Sequence, residues 1–458
     1  MQDNQDIFHL VQKTINLSEK LSRNLKCSEV YLSKEKYINI EIEDNSIKNS
    51  EIGHEEGISI RVISNQGSVG FAFTNILSQE SIEKINRAAI KMMNAGTKDP
   101  DFKNLPERFD NYPHVRDLCD KTLKNFKIEN SIHLVKDLID VCKNDELAIS
   151  QSGGFNSIYS KKYICNSNGI EAFAEESLCN ISSNMIVKDE ENKETSFGLE
   201  WQSERSLKDL NPIRIATVAL NNAKRNLNRI KIETMKVPLI LTPTGTINLI
   251  LKPLAAAINA ESFQYKRSFL VDKRNELIGS KFLNVEDNGL LDGAAGSSVF
   301  DAEGVPCKNK KIIHQGEFLQ SGLLHNSYTA GKDSVESTGN AVRNSYSSTP
   351  SIGITNFILK NGNSNKDDLI SEVKKGIYFD YTGDSPNIAT GDFSGLILQG
   401  NMIMNGEIKA PLNETMFGIN LLDLFKNIEA VSKEYKIYGG YKAPYIKIKD
   451  AQIIGANI

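Results

Sequence analysis

Period-two alternation near the N-terminus constrains this chain more than any other feature. Ile38, Ile40 and Ile42 alternate with Tyr37, Asn39, Glu41 and Glu43, the pattern of a strand with one buried face. Ile58, Ile60 and Val62 repeat it. Ser64-Asn65-Gln66-Gly67 supplies turn residues, and Val69, Phe71 and Phe73 return the chain, which predicts a hairpin. Amphipathic helices flank these strands. Ile7, Phe8, Val11, Ile15, Leu17, Leu21 and Leu25 fall mostly three or four apart. Ser78 is placed to cap a second helix with Ile82, Ile85, Ala89 and Met92 on one face and Gly96 at its end. Residues 1–105 read as an N-terminal α/β domain.

Asp99, Pro100, Asp101, Pro106, Asp110 and Pro113 interrupt any periodicity, so a connector is expected across 99–120. A middle α/β region, 106–232, follows. Its predicted elements are a helix near Ser131–Cys142, strands around Ala148–Ser152, Ser157–Ile164 and Cys179–Val187, and a helix from Pro212 to about Leu227. Asn166-Ser167-Asn168-Gly169 forms a tight turn, with Gly169 at positive φ. Residues 233–458 read as a strand-rich C-terminal domain. It opens with a buried strand at Val237–Leu241 and a helix over Thr246–Phe263 that contains Pro253. It also carries a helix over Ser364–Lys375 and a hairpin turning at Asn405-Gly406. The fold class expected is α+β, with no repeat of the kind that builds solenoids or propellers.

Bulk properties exclude several functions. The 458 residues are 40% hydrophobic and 24% charged, enough to bury a core. Lys and Arg number 54 against 58 Asp and Glu, for a net charge of −4. The densest basic stretch is only Lys308-Asn309-Lys310-Lys311, which argues against a nucleic-acid surface. No apolar run reaches the ~18 residues of a membrane span. The opening Met1-Gln2-Asp3-Asn4-Gln5-Asp6 lacks a secretory pattern. Cysteines 27, 119, 142, 165, 179 and 307 show no paired spacing, as expected of free thiols in a reducing compartment. The chain is therefore expected in the cytoplasm.

No assembled catalytic set emerges from the residues. His54-Glu55 is followed by Ile58 and Ser59, so no second His arrives at helical spacing for zinc. His314 and His325 could share a metal only through folding. Gly391-Asp392-Phe393-Ser394-Gly395 places its Ser one position late for a nucleophile elbow. Cys307 has no neighbouring base and reads as structural. No phosphate-binding glycine loop is present. Four Gly-punctuated polar runs remain: Phe300–Pro306, Thr338–Ala341, Gly391–Gly395 and Asn405–Ile408. Asp301 and Glu303 could hold a cation or orient a peptide, although a solvated or cap-forming role is the simpler expectation. Asp301, Glu303, Asn340, Asp392 and Ser394 are the candidates to line a cavity, and no catalytic, cofactor-binding or metal-binding residue is assigned.

These runs, with Gly57–Val62, Gly70-Phe71-Ala72, Asn166–Gly169 and Arg267–Leu270, resemble the TldD/PmbA metallopeptidase family in order and spacing. They are closest to its PmbA (TldE-like) branch. The resemblance covers almost the whole chain. It implies cytosolic dimers in which a TldD-type subunit cuts flexible or unfolded peptides inside an enclosed cavity. That subunit binds zinc with a His-Glu-x-x-x-His helix and a later Cys. Here the matching helix, Leu251–Glu261, has no His, and no Cys follows Cys307. The resemblance thus implies a subunit without cofactor of its own, with zinc in a TldD-type partner and a peptide as substrate. A stand-alone, homodimeric metal-dependent hydrolase using His314, His325, Asp301 and Glu303 is one alternative. A non-enzymatic regulatory protein, such as a modulator of DNA gyrase, is another.

Overall fold

A computed structural model describes residues 2–191 and 193–456. The predicted N-terminal strands prove much longer than their alternating cores. β1 (Leu25–Glu43) and β2 (Ser46–Ser64) are 19 residues each and form one antiparallel hairpin. Asp44 and Asn45 turn it with φ of 46° and 61°, the two-residue geometry whose twist matches that of paired strands. β3 (Val69–Thr74) returns along β2 as expected. β4 (Ala148–Asn166) then pairs with β1, followed by β5 (Glu171–Lys188) and β6 (Thr195–Glu204), in the order β3-β2-β1-β4-β5-β6. Strands from before and after the connector therefore share one six-stranded sheet.

The two strands expected at Ala148–Ser152 and Ser157–Ile164 are one strand, because Gly153-Gly154 does not break it. Both glycines have positive φ, 126° and 148°. A Cβ on Gly154 would lie 2.0 Å from the Ile40 carbonyl oxygen, and one on Gly153 would lie 2.4 Å from that of Ser182. Glycine here lets a central strand approach both neighbours closely.

Four helices cover one face of this sheet. α1 (Gln2–Leu21) and α2 (Gln79–Ala95) place Ile7, Val11, Ile15, Ile85 and Ala89 against Val30, Leu32, Ile58 and Ile60. Met93, rather than the expected Met92, is the buried methionine of α2; Met92 is exposed. α3 (Ile128–Lys143) and α4 (Pro212–Arg225) cover Ile38, Ile40, Ile42 and Ile181 further along. The alternate residues on the proximal half of the sheet face the C-terminal part of the chain.

That part begins with β7 (Met235–Leu241). The single helix expected over Thr246–Phe263 is three short segments: α5 (Pro243–Thr246), α6 (Lys252–Ala257) and α7 (Ala260–Gln264). A π-helical turn over Ile247–Leu251 joins the first two, with the Lys252 N–H donating to the Ile247 carbonyl. Pro253 lacks an amide hydrogen and crowds the carbonyl four residues back, and the wider turn absorbs that clash. The helix expected over Ser364–Lys375 is confined to Lys366–Ser371, and Lys375 already begins the next strand. The C-terminal sheet holds twelve strands. β7 lies centrally, between Lys375–Tyr381 and the long final strand Tyr441–Ile454. The Asn405-Gly406 hairpin forms as predicted, with φ of 51° and 80°. The core of this part is aliphatic and aromatic, including Leu239, Leu254, Phe357, Phe379 and Phe417.

Gly154→Ala should destabilise the protein by about 2 kcal/mol or more in urea unfolding. Gly418→Ala should change little, because its Cβ would meet nothing nearer than 3.6 Å. Equal midpoints for the two variants would refute this account of β4.

Candidate functional site

The proximal face of the six-stranded sheet carries charge where an ordinary half-buried sheet meets water. Glu29 and Tyr31 on β1, Arg61 on β2, Lys162 on β4 and Glu176 on β5 all point away from the helices, and Arg205 follows β6. Loops of the C-terminal part close over them. Arg61 Nη2 donates to Glu29 Oε2 at 2.9 Å and to Glu303 Oε1 at 2.7 Å. Arg343 pairs with the other oxygen of Glu29 and lies over the Tyr31 ring, 5.0 Å from its centroid. Glu303 also accepts from the Ser327 amide at 2.7 Å and its hydroxyl at 2.6 Å. Ser327 opens α8 (Ser327–Asp333). Glu29 and Glu303 are buried. Burial alone would raise the Glu303 pKa, but Arg61 and the Ser327 donors outweigh it and hold the carboxyl below its usual range.

Asp301 organises the loop beside this network. Its carboxylate accepts from the amides of Glu303 at 2.8 Å, Val305 at 3.0 Å and Ala341 at 3.0 Å. Burial, and then the charge of Glu303, push its pKa up against those three donors. Asn340 donates to Asp287 Oδ2 and to the Gly353 carbonyl, both at 2.8 Å. Gly304 in the same loop has a φ of 79°. The connector is pinned here too, with the Tyr112 hydroxyl donating to the Gly304 carbonyl at 2.9 Å.

A second polar group lies alongside. Glu176 accepts from Lys162 Nζ at 2.7 Å and from the Ser298 hydroxyl at 2.6 Å. Arg205 donates to the carbonyls of Ser177, Ala294, Ala295 and Ser297. Burial opposes ionisation of Glu176, yet Lys162 and then Arg205 hold its pKa at about 2. Between the sheet and the loops is a cavity of about 200 Å³ whose walls include Tyr31, Lys162, Arg205, Asp301, Asn340 and Arg343. Cys307 also lines it, but burial raises its thiol pKa and leaves it protonated rather than nucleophilic.

Three of the five candidate residues thus come together. Asp301, Glu303 and Asn340 are buried parts of one joint; of the solvated or cap-forming roles expected for the two acids, the carboxylates take the second, each accepting backbone amides. Asp392 and Ser394 lie elsewhere, exposed on the strand Asp392–Leu396, where Asp392 accepts from Asn420 at 2.9 Å. Arg61, Arg343, Glu29 and Lys162 were missed by sequence reasoning. For Glu29, Arg61 and Lys162 the signal was charge at positions alternating with buried apolar residues of the same strand, whereas Arg343, after the short strand Ala341–Val342, carried no such signal.

The residues do not fit the zinc that the resemblance implies for a TldD-type subunit. The hollow beside α6 is lined by Asn248, Lys252 and Pro253 and, opposite, by Thr382, Asp384 and Ser385. Asp384 is its one metal-binding type of side chain and already accepts from the Leu396 amide at 2.8 Å. The Lys252 ammonium would repel a cation. His314 is exposed on the strand Asn309–His314, whereas His325 is buried and its Nδ1 has no partner. No group of three metal-ligating side chains occurs among the described residues.

Arg61→Met should cost about 3–5 kcal/mol in unfolding free energy, since it strands two buried carboxylates. Glu176 tests the second group through pH. Its folded pKa of about 2 lies below an unfolded value of about 4.3. Its contribution is therefore full above the unfolded value and fades as pH falls towards 2. The stability gap between the wild type and Glu176→Gln should narrow from pH 5 to pH 2; a gap independent of pH would contradict the pairing.

Comparison with known proteins matches this geometry to a family. The chain matches the PmbA/TldA metallopeptidase domain 1 over residues 28–93, the central domain over 121–227 and the C-terminal domain over 234–455. A metalloprotease of Methanocaldococcus jannaschii is 28% identical over 412 residues, 88% of each chain. A PmbA metalloprotease homologue of Buchnera aphidicola is 27% identical across 98% of this chain and 97% of its own. Among solved structures, TldE from Thermococcus kodakarensis superposes with a TM-score of 0.86 at 22% identity, covering 97% of this chain and all of its own. A Thermotoga maritima protein described as a modulator of DNA gyrase gives 0.87 at 20% identity, over 97% and 99%. With all three of its domains matched in order, the chain belongs to the TldD/PmbA metallopeptidase family.

Proposed function

We propose that this chain is the zinc-less, PmbA/TldE-like subunit of a cytoplasmic peptidase, paired with a TldD-type chain that supplies the metal and the cutting. One observation carries the reading. The family scaffold is intact over all three matched domains, while the helical region from Leu251 to Glu261 offers lysine, proline and alanine in place of His-Glu-x-x-x-His. Without a ligand set or a general base, activation of a zinc-bound water has no residues in this chain to perform it.

In that assembly the chain would shape half of an enclosed peptide chamber. Asp392 and Ser394 are assigned to the peptide-facing surface, because they project from a strand that, among the described residues, pairs on one side only, with Met416–Asn420. An extended peptide can add to such an edge through main-chain hydrogen bonds. Asp301, Glu303 and Asn340 are assigned to hold the chamber wall rigid. A cytoplasmic site accords with the six free cysteines and with the lack, among the described residues, of any helix long and apolar enough to cross a membrane.

Affinity purification of the tagged chain from its own cells should recover a second chain of similar length bearing His-Glu-x-x-x-His. Peptide hydrolysis should require both chains, and a change of either partner histidine should abolish it. A chain that never associates with such a partner, in cells or on mixing, would overturn the proposal.

A further inference from the structure

The cavity at the joint presents hydrogen-bond donors without acceptors. Tyr31 is only 5% exposed, yet its hydroxyl makes no hydrogen bond to protein among the described residues, although the Arg343 guanidinium lies over its ring. Lys162 has three N–H donors and spends one, on Glu176. A third of its side-chain surface stays open, at 33%, although the residue stands on an interior strand of the sheet. Thr355, another wall residue, has a buried hydroxyl with no partner. The Thr355 hydroxyl is a buried group whose lack of a partner is costly unless something in the space bonds it, and the Tyr31 and Lys162 donors open onto the same space.

Charge tells the same story. The buried network at the joint contains four cations, Arg61, Arg343, Lys162 and Arg205. Glu29, Glu303 and Glu176 neutralise three. Arg205 is satisfied by neutral carbonyls, and its nearest carboxylate oxygen, on Glu176, is 3.9 Å away. Asp301 keeps its carboxylate against three backbone amides, and Glu35, on the same face of β1 as Tyr31, lies in the field of Lys162. Asp287 is taken by Lys310 at 3.1 Å. Arg205 thus borders the space with no carboxylate oxygen nearer than 3.9 Å, a setting that favours an anion there.

We propose that this cavity binds a small oxyanion of the phosphate or carboxylate type, received by the Tyr31 hydroxyl and the Lys162 ammonium within the field of Arg205 and Arg343. The volume of about 200 Å³ admits such an anion with a few waters. The bound anion spans the sheet and the C-terminal loops, so it fastens the two parts together. This site is independent of the peptidase reading, since none of its donors belongs to the proposed peptide-facing strand.

Calorimetric titration of the full-length chain with orthophosphate and, separately, with acetate tests it, at neutral pH and constant ionic strength set with potassium chloride. At least one of the two anions should bind one per chain and raise Tm saturably, by about 2 °C at tenfold excess over Kd. Response to orthophosphate alone identifies a phosphate-type site, and response to acetate identifies a carboxylate-type site. Tyr31→Phe should leave the anion-free Tm unchanged, because the hydroxyl has no protein partner, and should weaken binding about tenfold. Lys162→Met should abolish it. Absence of saturable binding by both anions up to about 10 mM, or equal affinity in Tyr31→Phe, would overturn the proposal.

Discussion

The bridging of two buried carboxylates by Arg61 is the constraint on which the rest of this structure depends. One guanidinium on β2 bonds Glu29 from the neighbouring strand and Glu303 from a loop more than two hundred residues later. Guanidinium suits this role because it stays charged and presents several donors in a fixed plane. The pairing draws Asp301 and its amide-bound loop onto the sheet, sets Ser327 at the start of α8 and brings Arg343 over Tyr31. Such a buried network contributes less to net stability than to uniqueness, since its desolvation cost offsets much of its attraction. Its consequence is geometrical: the C-terminal part can dock on the sheet in one register, because any other leaves charges unpaired.

Local periodicity made the elements legible, and only tertiary contact revealed the joint. The hairpin turns at Asn65–Gly67 and Asn405-Gly406, the Ser78 cap and the apolar faces of α1 and α4 are all determined by residues close in sequence. The Asp44-Asn45 turn was equally local and readable in principle, but Asn followed by Ser lacks the glycine that usually marks such turns. Gly153-Gly154 misled in the opposite direction: paired glycines punctuate most strands, whereas here they allow close approach within one. Pro253 was visible as a problem for a long helix, yet its resolution as a π-helical turn depended on the packing around Leu249 and Leu251.

The site was less legible for a specific physical reason. Alternation of apolar and charged residues on β1, β2, β4 and β5 has the ordinary meaning that the charged face meets water. Here that face is buried by a second part of the chain, and its charges neutralise one another across long sequence separations. Asp301 and Glu303 looked like loop carboxylates because the partners that bury them, Ala341, Arg61 and Ser327, lie far away in sequence, while the amides of Glu303 and Val305 only close a local turn on Asp301. Asp392 and Ser394 share a glycine-flanked run of the same appearance but occupy an edge strand. Glycine and acid punctuation marks family loops without telling which of them converge.

The functional reading joins an intact scaffold to a region that carries no metal ligands, and zinc is the quantity that separates it from its rivals. The most direct measurement is elemental analysis of the chain purified alone and of the same chain with its proposed TldD-type partner. The account predicts negligible zinc in the single chain and about one zinc per heterodimer. Stoichiometric zinc in the single chain, retained through dialysis, would contradict it.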